Sequence, residues 1–227
     1  MSDIHLYSYD ACPFAQRTRM VLAEKRVDFT LREIDVHNKP EGWAEISPYG
    51  KVPLLRHENT SIYESSIINE YLDEVFPEPP LLPARPLERA QARIWMDYCD
   101  SGMRPAAAKI LWSAKTPEER AEAVAGLDLA LYFLENEGLG KLGNGPYFFG
   151  EQVTLVDFQF LPFFERLEFY EELTGYHWPD DTPRLHRWFD AMCERTSVAP
   201  TLRPLTYHRE QHQKMLAAME ARRAANA

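Results

Sequence analysis

Cys12, in the run Tyr9-Asp10-Ala11-Cys12-Pro13-Phe14-Ala15, is the residue best placed to do chemistry in this chain. Ile4 to Ser8 reads as a short strand, and Pro13 suits the first turn of a helix. The thiol therefore falls where a strand hands over to a helix N-terminus. Unpaired backbone N–H groups and the positive end of the helix dipole favour a thiolate there. Cysteines so placed have pKa values lowered from about 8.5 into roughly the 3.5–7.5 range, and the thiolate is the nucleophile. An isolated cysteine is more often a buried structural residue. Strand, Cys-Pro and helix together favour the reactive reading, with ionisation expected below about pH 8. Ala15 stands where a second cysteine would close a dithiol cycle, so a separate thiol has to resolve any disulfide formed at Cys12.

The elements that position Cys12 are legible on either side of it. The helix from Pro13 carries Phe14, Val21 and Leu22 on one face. Asp28 to Ile34 alternates apolar and polar residues like a half-buried strand, which completes one strand–helix–strand unit. Lys39-Pro40-Glu41-Gly42-Trp43 reads as a loop entering a short helix. In Gly50-Lys51-Val52-Pro53-Leu54-Leu55 a proline interrupts an apolar strand pattern, so Pro53 begins the strand or marks a special peptide bond. Ser61-Ile62-Tyr63 reads as a fourth strand. Ile67, Ile68, Tyr71, Leu72 and Val75 then mark an amphipathic helix from Ser65 that stops before Pro77. Prolines at 77, 79, 80, 83 and 86 give the next segment linker composition.

Beyond the linker every segment reads as helix. Ala90, Ile94 and Tyr98 step along one face, and Pro105 is expected to bend or break that element. Thr116-Pro117-Glu118-Glu119 is a helix start, followed by Leu127, Leu131 and Leu134, with Gly138 the expected stop. Thr154 and Asp157 have capping-box spacing, flanked by Val153 and Phe158 as a hydrophobic staple. Asp157 is accordingly read as structural, and the apolar helix from Leu155 to Phe164 as buried on all sides. Thr182-Pro183 opens a helix that buries Leu185, Trp188, Phe189 and Met192, and Tyr207 to Ala227 form a charged, alanine-rich tail helix.

Cys12-Pro13-Phe14-Ala15, Asn38-Lys39-Pro40-Glu41, Val52-Pro53, Tyr63-Glu64-Ser65, the Thr154-to-Asp157 box and Phe163-Phe164-Glu165-Arg166-Leu167-Glu168 occur in this order. Together they resemble the cytosolic glutathione transferases, most closely the omega class, over nearly the whole chain. The resemblance implies an α/β thioredoxin-like N-terminal domain over residues 1–80. It implies an all-α C-terminal domain over 87–227 that contributes the second-substrate site, with the active site in the cleft between them. It also implies a cis Val52–Pro53 peptide and a glutathione-binding set of Phe14, Lys39, Val52, Pro53, Glu64 and Ser65. In that set the Val52 backbone meets the cysteinyl part, Glu64 and Ser65 the γ-glutamyl end, and Lys39 the glycyl carboxylate. A serine opening a helix beside a glutamate is chemically suited to holding a carboxylate and an ammonium.

In omega-like enzymes the cysteine is the nucleophile. Cys12 would take the glutathionyl group from a glutathionylated substrate or small disulfide, or serve dehydroascorbate reduction, and a second glutathione would then release the mixed disulfide. The competing readings are removal of glutathione from an aromatic thioether, conjugation with Tyr7 or Ser8 activating glutathione, and a regulatory binding protein that keeps the fold. The resemblance implies a homodimer, with glutathione as co-substrate and neither a permanently bound cofactor nor a metal.

Composition narrows the remaining classes. A formal charge of −10 disfavours nucleic acid and anionic membrane as partners. No apolar run is long enough for a bilayer, and Met1-Ser2-Asp3-Ile4-His5 lacks the basic and apolar regions of a signal peptide. Cys12, Cys99 and Cys193 are too few for a disulfide framework, so a cytoplasmic location is expected, with Cys99 and Cys193 as inert core thiols. Gly138-Leu139-Gly140-Lys141-Leu142-Gly143 has dinucleotide-fingerprint spacing but follows a helix, and reads as a flexible connection. His208 and His212 share a helix face without a third ligand and read as solvated. Met103, Trp112, Phe164 and Trp188 are candidates for the second-substrate pocket or for the core.

Overall fold

The structure, a computed structural model, describes residues 3–112 and 114–225. Its N-terminal part is built on a four-stranded sheet: β1 (Ile4–Ser8), β2 (Thr30–Glu33), β3 (Leu54–His57) and β4 (Thr60–Tyr63), in spatial order β2-β1-β3-β4. Helix α1 (Pro13–Glu24) connects β1 to its parallel neighbour β2, which sets Leu6 opposite Leu31. Strand β3 runs antiparallel to both β1 and β4, with Leu55 opposite Leu6 on one side and Ile62 on the other. Alternate residues of β1 serve two cores. Ile4 and Leu6 cluster with Met20, Val21 and Leu22 of α1 and with Ile68 and Leu72 of α3 (Ser65–Val75). Tyr7 points the other way, against Ile34, Leu54 and Trp43 of the short helix α2 (Trp43–Ile46).

The half-buried strand expected over Asp28–Ile34 is an edge strand instead. All four residues of β2 are exposed, with Phe29 just before it half-buried and Ile34 just after it buried. An edge strand has one neighbour, so its alternation is not forced to separate a buried face from a wet one.

The helical part comprises α4 (Pro86–Tyr98), α5 (Arg104–Trp112), α6 (Pro117–Phe133), α7 (Leu139–Leu142), α8 (Leu155–Phe164), α9 (Leu167–Thr174), α10 (Pro183–Cys193) and α11 (Leu205–Ala225). Pro105 does not break it. A π-helical turn over Cys99–Met103 carries α4 into α5 just ahead of the proline, and the Asp100 carbonyl, five residues before it, accepts from Arg104 Nη2 at 2.9 Å. In α4 the buried residues are Ala92, Trp95 and Met96. The Ala90–Ile94–Tyr98 stripe is the outer face, with Ile94 65 % exposed. Nor does Gly138 end its helix: a π-helical turn over Leu134–Gly138 runs on into α7, which replaces the expected flexible connection.

The buried helix is as expected, since all ten residues of α8 are buried. Asp157 Oδ2 accepts from the Thr154 N–H at 2.7 Å and its hydroxyl at 2.8 Å, while Oδ1 accepts from Phe148 N–H and Trp188 Nε1. One carboxylate thus satisfies the start of α8 and ties it to α10. The tail helix extends through Ala225, and the last two residues expected in it lie outside the described residues. Among the described residues no helix is long and apolar enough to cross a membrane.

Candidate active site

Cys12 is the N-cap of α1, with extended backbone at φ −78° and ψ 118°. Its own N–H is held by the Tyr9 carbonyl at 2.9 Å, and its Sγ donates to the Val52 carbonyl at 3.7 Å. The Val52–Pro53 peptide is cis, as the sequence led us to expect. The helix N-terminus is therefore in place beside the sulfur. Burial nevertheless pushes the Cys12 thiol above its ordinary value; the N–H groups of Ala15 and Phe14 and the guanidinium groups of Arg166 and Arg19 pull it down without prevailing. The expected lowered pKa is thus corrected for the glutathione-free chain, because loss of solvation outweighs the helix end. Cys99, donating to the Gln159 carbonyl, and Cys193 are pushed up to about 12 and about 11, mainly by burial, in keeping with inert thiols.

Past Phe14 and Val52 lies a pocket of about 100 Å³ in which polar groups stand among apolar ones. Phe14, Val52, Pro53, Glu64 and Ser65 line it together. Lys39 does not. It is exposed, and its Nζ lies 3.4 Å from where a Cβ on Gly50 would sit. The ammonium that lines the pocket belongs to Lys51, accompanied by Tyr49 and Tyr63. The sequence reading assigned none of these three to the glutathione site, although Tyr63 belongs to the Tyr63-Glu64-Ser65 motif and Tyr49 and Lys51 bracket the glycine just ahead of Val52-Pro53. Glu64 has φ 70°, a region that non-glycine residues rarely occupy and that recurs at functional sites. Ser65 opens α3, buried, and accepts from Arg17 Nη1 at 3.3 Å.

Past Ala11 and Pro13 opens a mainly apolar cavity of about 310 Å³. Trp112 of α5, Phe169 and Tyr170 of α9 and Met215 of α11 supply its walls. Of the four candidates for a second pocket, only Trp112 lines it; Met103, Phe164 and Trp188 are core residues. Neither Tyr7 nor Ser8 lines the pocket or the cavity. The Tyr7 ring packs on Trp43 at 5.6 Å, and the Ser8 hydroxyl accepts from Arg19 at 2.7 Å.

The tail helix α11 folds back over this cavity, which corrects the reading of its histidines as solvated. His208 is 8 % exposed with Nε2 3.4 Å from Glu165, and His212 stacks on Trp112 at 5.0 Å. Among the described residues no cluster suited to a metal is present. Asp10, two residues before Cys12, fastens the helix by accepting from Arg203 at 2.7 and 2.9 Å and from the Tyr207 hydroxyl at 2.7 Å. Tyr9 adds a hydrogen bond to Gln211.

Arg166 lines the cavity, with Glu165 paired to it at 3.3 Å. Arg166 donates to the Ala11 carbonyl at 3.2 Å and to Gln16 at 3.0 Å. Burial works against the Glu165 charge, but His208, Arg166, Gln16 and the Arg203 N–H outweigh it and hold this carboxyl below its usual range.

Comparison with known proteins gives matches to both parts of the chain. Residues 6–80 match the model of the glutathione S-transferase N-terminal domain, and 117–191 that of the C-terminal domain. Glutathione S-transferase U25 of Arabidopsis thaliana is 38 % identical over 191 residues, covering 83 % of this chain and 84 % of that protein. A Tau class glutathione S-transferase from mango, Mangifera indica, superposes with a TM-score of 0.87 at 30 % identity, over 93 % of this chain and 97 % of that one. Glutathione transferase Omega 3C from Trametes versicolor does so with a TM-score of 0.80 at 30 % identity, over 88 % and 89 %. With both domain models, sequence identity and fold in agreement, the chain belongs to the glutathione S-transferase family of enzymes.

Proposed function

We propose that this enzyme joins glutathione, bound in the pocket lined by Phe14, Val52, Pro53, Glu64 and Ser65, to a small electrophile in the apolar cavity. One observation carries the reading: the residues on either side of Cys12 line different spaces, Ala11 and Pro13 the apolar cavity, and Phe14 with Val52, whose carbonyl accepts from Cys12 Sγ, the smaller pocket. Glu64 would pair the γ-glutamyl ammonium, the start of α3 at Ser65 its carboxylate, and Lys51, in place of Lys39, the glycyl carboxylate. Residues 1–80 would thus hold glutathione, while 87–227 supply the electrophile's walls. Cys12, its thiol raised by burial, would donate S–H to the glutathione thiolate as that sulfur attacks the electrophile and displaces its leaving group. The relatives named as glutathione transferases, one of them Tau class, favour this conjugating chemistry over the thiol transfer expected from sequence.

The thiol-transfer reading keeps specific support. The residue at the helix end is a cysteine, no tyrosine or serine hydroxyl of β1 lines either space, and one relative at 30 % identity is Omega class. In that mechanism the Cys12 thiolate attacks the glutathione sulfur of a mixed disulfide and releases the substrate thiol. A second glutathione thiolate then attacks Cys12–S–SG, leaving oxidised glutathione and free Cys12.

Cys12→Ser separates the two. Under conjugation the serine hydroxyl still serves the glutathione thiolate, and turnover of an aromatic halide persists. Under thiol transfer, reduction of a glutathionylated peptide, a small disulfide or dehydroascorbate disappears. A wild-type enzyme that reduces these substrates efficiently but conjugates nothing would overturn the first reading. We further propose a homodimer, supported by Ile67, Leu87 and Ile94, each about 60 % exposed or more on α3 and α4. Light scattering at micromolar concentration tests it, a mass near 26.4 kDa being the contrary result.

A further inference from the structure

We propose that the face of the sheet beside α2 carries a binding site for a phosphate dianion, free or as the head of a small ester, held between Arg32 and Arg56. None of its lining residues belongs to the glutathione pocket or to the apolar cavity, so the site stands apart from the transfer reaction.

The strand ladder brings the two arginines together. Ile4, Leu6 and Ser8 of β1 are buried, so His5 and Tyr7 turn to the opposite face. Arg32 of β2 is paired with Tyr7, and Arg56 of β3 with His5. Directly paired residues share a face, so the two arginines flank β1, one on either side. Both line one recess of about 460 Å³, together with Tyr7 and Asn59. That volume lies within the range of small-molecule sites and holds a phosphate with a short ester arm.

Charge selects the ligand. Elsewhere in the chain arginines are answered by carboxylates, as Arg93 is by Glu70 and Arg209 by Glu172. Among the described residues neither Arg32 nor Arg56 has a hydrogen bond or an ion pair, in a chain with 35 acidic residues against 25 lysines and arginines. Two carboxylates also line the recess. Asp3 is committed to His5, whose Nε2 lies 3.1 Å from it. Glu58 is exposed in the turn between β3 and β4, and it is available to a cationic group carried by an ester. The Nδ1 of His5 is buried in the wall without a hydrogen-bond partner, which native structures rarely leave unexplained. A guanidinium presents a rigid fork of N–H donors matched to phosphate oxygens. One fork satisfies a carboxylate; two forks and the Tyr7 hydroxyl suit a tetrahedral dianion.

The test is calorimetric titration of the full-length enzyme at low salt and pH 8, where phosphate is doubly charged. Inorganic phosphate, O-phosphoethanolamine and acetate are compared. Both phosphates should bind one site per chain about tenfold or more tightly than acetate, and Arg32→Gln and Arg56→Gln should each weaken them about tenfold. Lys51→Ala, which removes the ammonium of the glutathione pocket, should leave that affinity unchanged. Amide NMR shifts on adding phosphate should centre on residues 5–7, 32 and 56–59. Tighter binding of phosphoethanolamine, with the gain lost in Glu58→Gln, assigns the site to a cationic ester; equal or weaker binding assigns it to the free ion. No saturation by about 10 mM phosphate, or acetate binding as well as phosphate, would overturn the inference. So would shifts centred on the glutathione pocket, at residues 49–53 and 63–65, with an affinity that neither arginine variant changes.

Discussion

The guanidinium of Arg17, fully buried in α1, donates to both carboxylate oxygens of Asp100, at 2.8 and 3.3 Å. The same side chain donates to the Gln159 carbonyl of α8 at 2.9 Å and to the Ser65 hydroxyl at 3.3 Å. Phe14 and Phe163 flank it, with ring centroids 4.9 and 5.0 Å from the guanidinium carbon. One cation therefore joins the sheet-bearing part to the helical part and orients Ser65, which lines the smaller pocket.

Arg17→Ala should destabilise the fold by about 3 kcal/mol, the low end for a broken buried ion pair, since the Asp100 side chain is 34 % exposed and can rehydrate. Urea denaturation gives the value. A double-mutant cycle with Asp100→Asn should return a coupling of at least about 1 kcal/mol, and a smaller one would place the pair with surface ion pairs.

Arg17 also explains why part of the site could not be read from the sequence. Its neighbours Gln16 and Thr18 are buried as well, whereas helical periodicity assigns burial to apolar residues such as Val21 and Leu22. Polar side chains are buried there because α1 is enclosed by α3 on one side and α8 on the other, a tertiary fact without a local signature. Cys12, the cis Val52–Pro53 peptide and the caps at Thr116 and Thr154 were legible because each is fixed within a few residues. That Lys51 and not Lys39 lines the pocket, and that α11 folds back, depend on contacts between distant segments, as does the outcome of the contest over the Cys12 thiol.

That contest gives the second prediction. A thiol raised by burial carries less thiolate at neutral pH than a free cysteine, and its reactivity rises only as the pH passes the raised value. Site-resolved alkylation of Cys12 in the glutathione-free enzyme should have a midpoint above about pH 8.5. Arg166→Gln should move it higher, by removing a charge that favours the thiolate. A wild-type midpoint below about pH 7 would mean that the helix end and the arginines prevail over burial.

Glu64→Gln and Ser65→Ala should raise the KM for glutathione more than they lower kcat, because these groups face a part of the tripeptide that does not react. Losing a charged hydrogen bond amounts to roughly 1.5–3 kcal/mol, or one to two decades in affinity. Lys51→Ala should do the same and Lys39→Ala far less, since only Lys51 lines the pocket. Steady-state kinetics with glutathione as the varied substrate decides the matter, and an effect confined to Lys39 would return the glycyl site to the position expected from sequence.

Asp10 makes the cavity's roof sensitive to acid. The Arg203 hydrogen bonds, helped by Tyr207 and the Arg203 and Arg19 charges, hold its carboxyl at about 2 against the opposing effect of burial. A carboxyl depressed in the fold contributes stability that is complete above its unfolded value, near pH 4, and is lost as the pH falls toward 2. The hold on α11 should therefore be constant from pH 8 down to about 5 and weaken progressively below about 4. Asp10→Asn removes the charge at every pH and should release α11 at neutrality. Hydrogen exchange across residues 205–215 should then be faster than in the wild type at pH 7, and the second substrate's KM should rise as His212 and Met215 leave the cavity wall. Unchanged exchange in the variant would show that Tyr9–Gln211 and the aromatic stack hold the helix without Asp10.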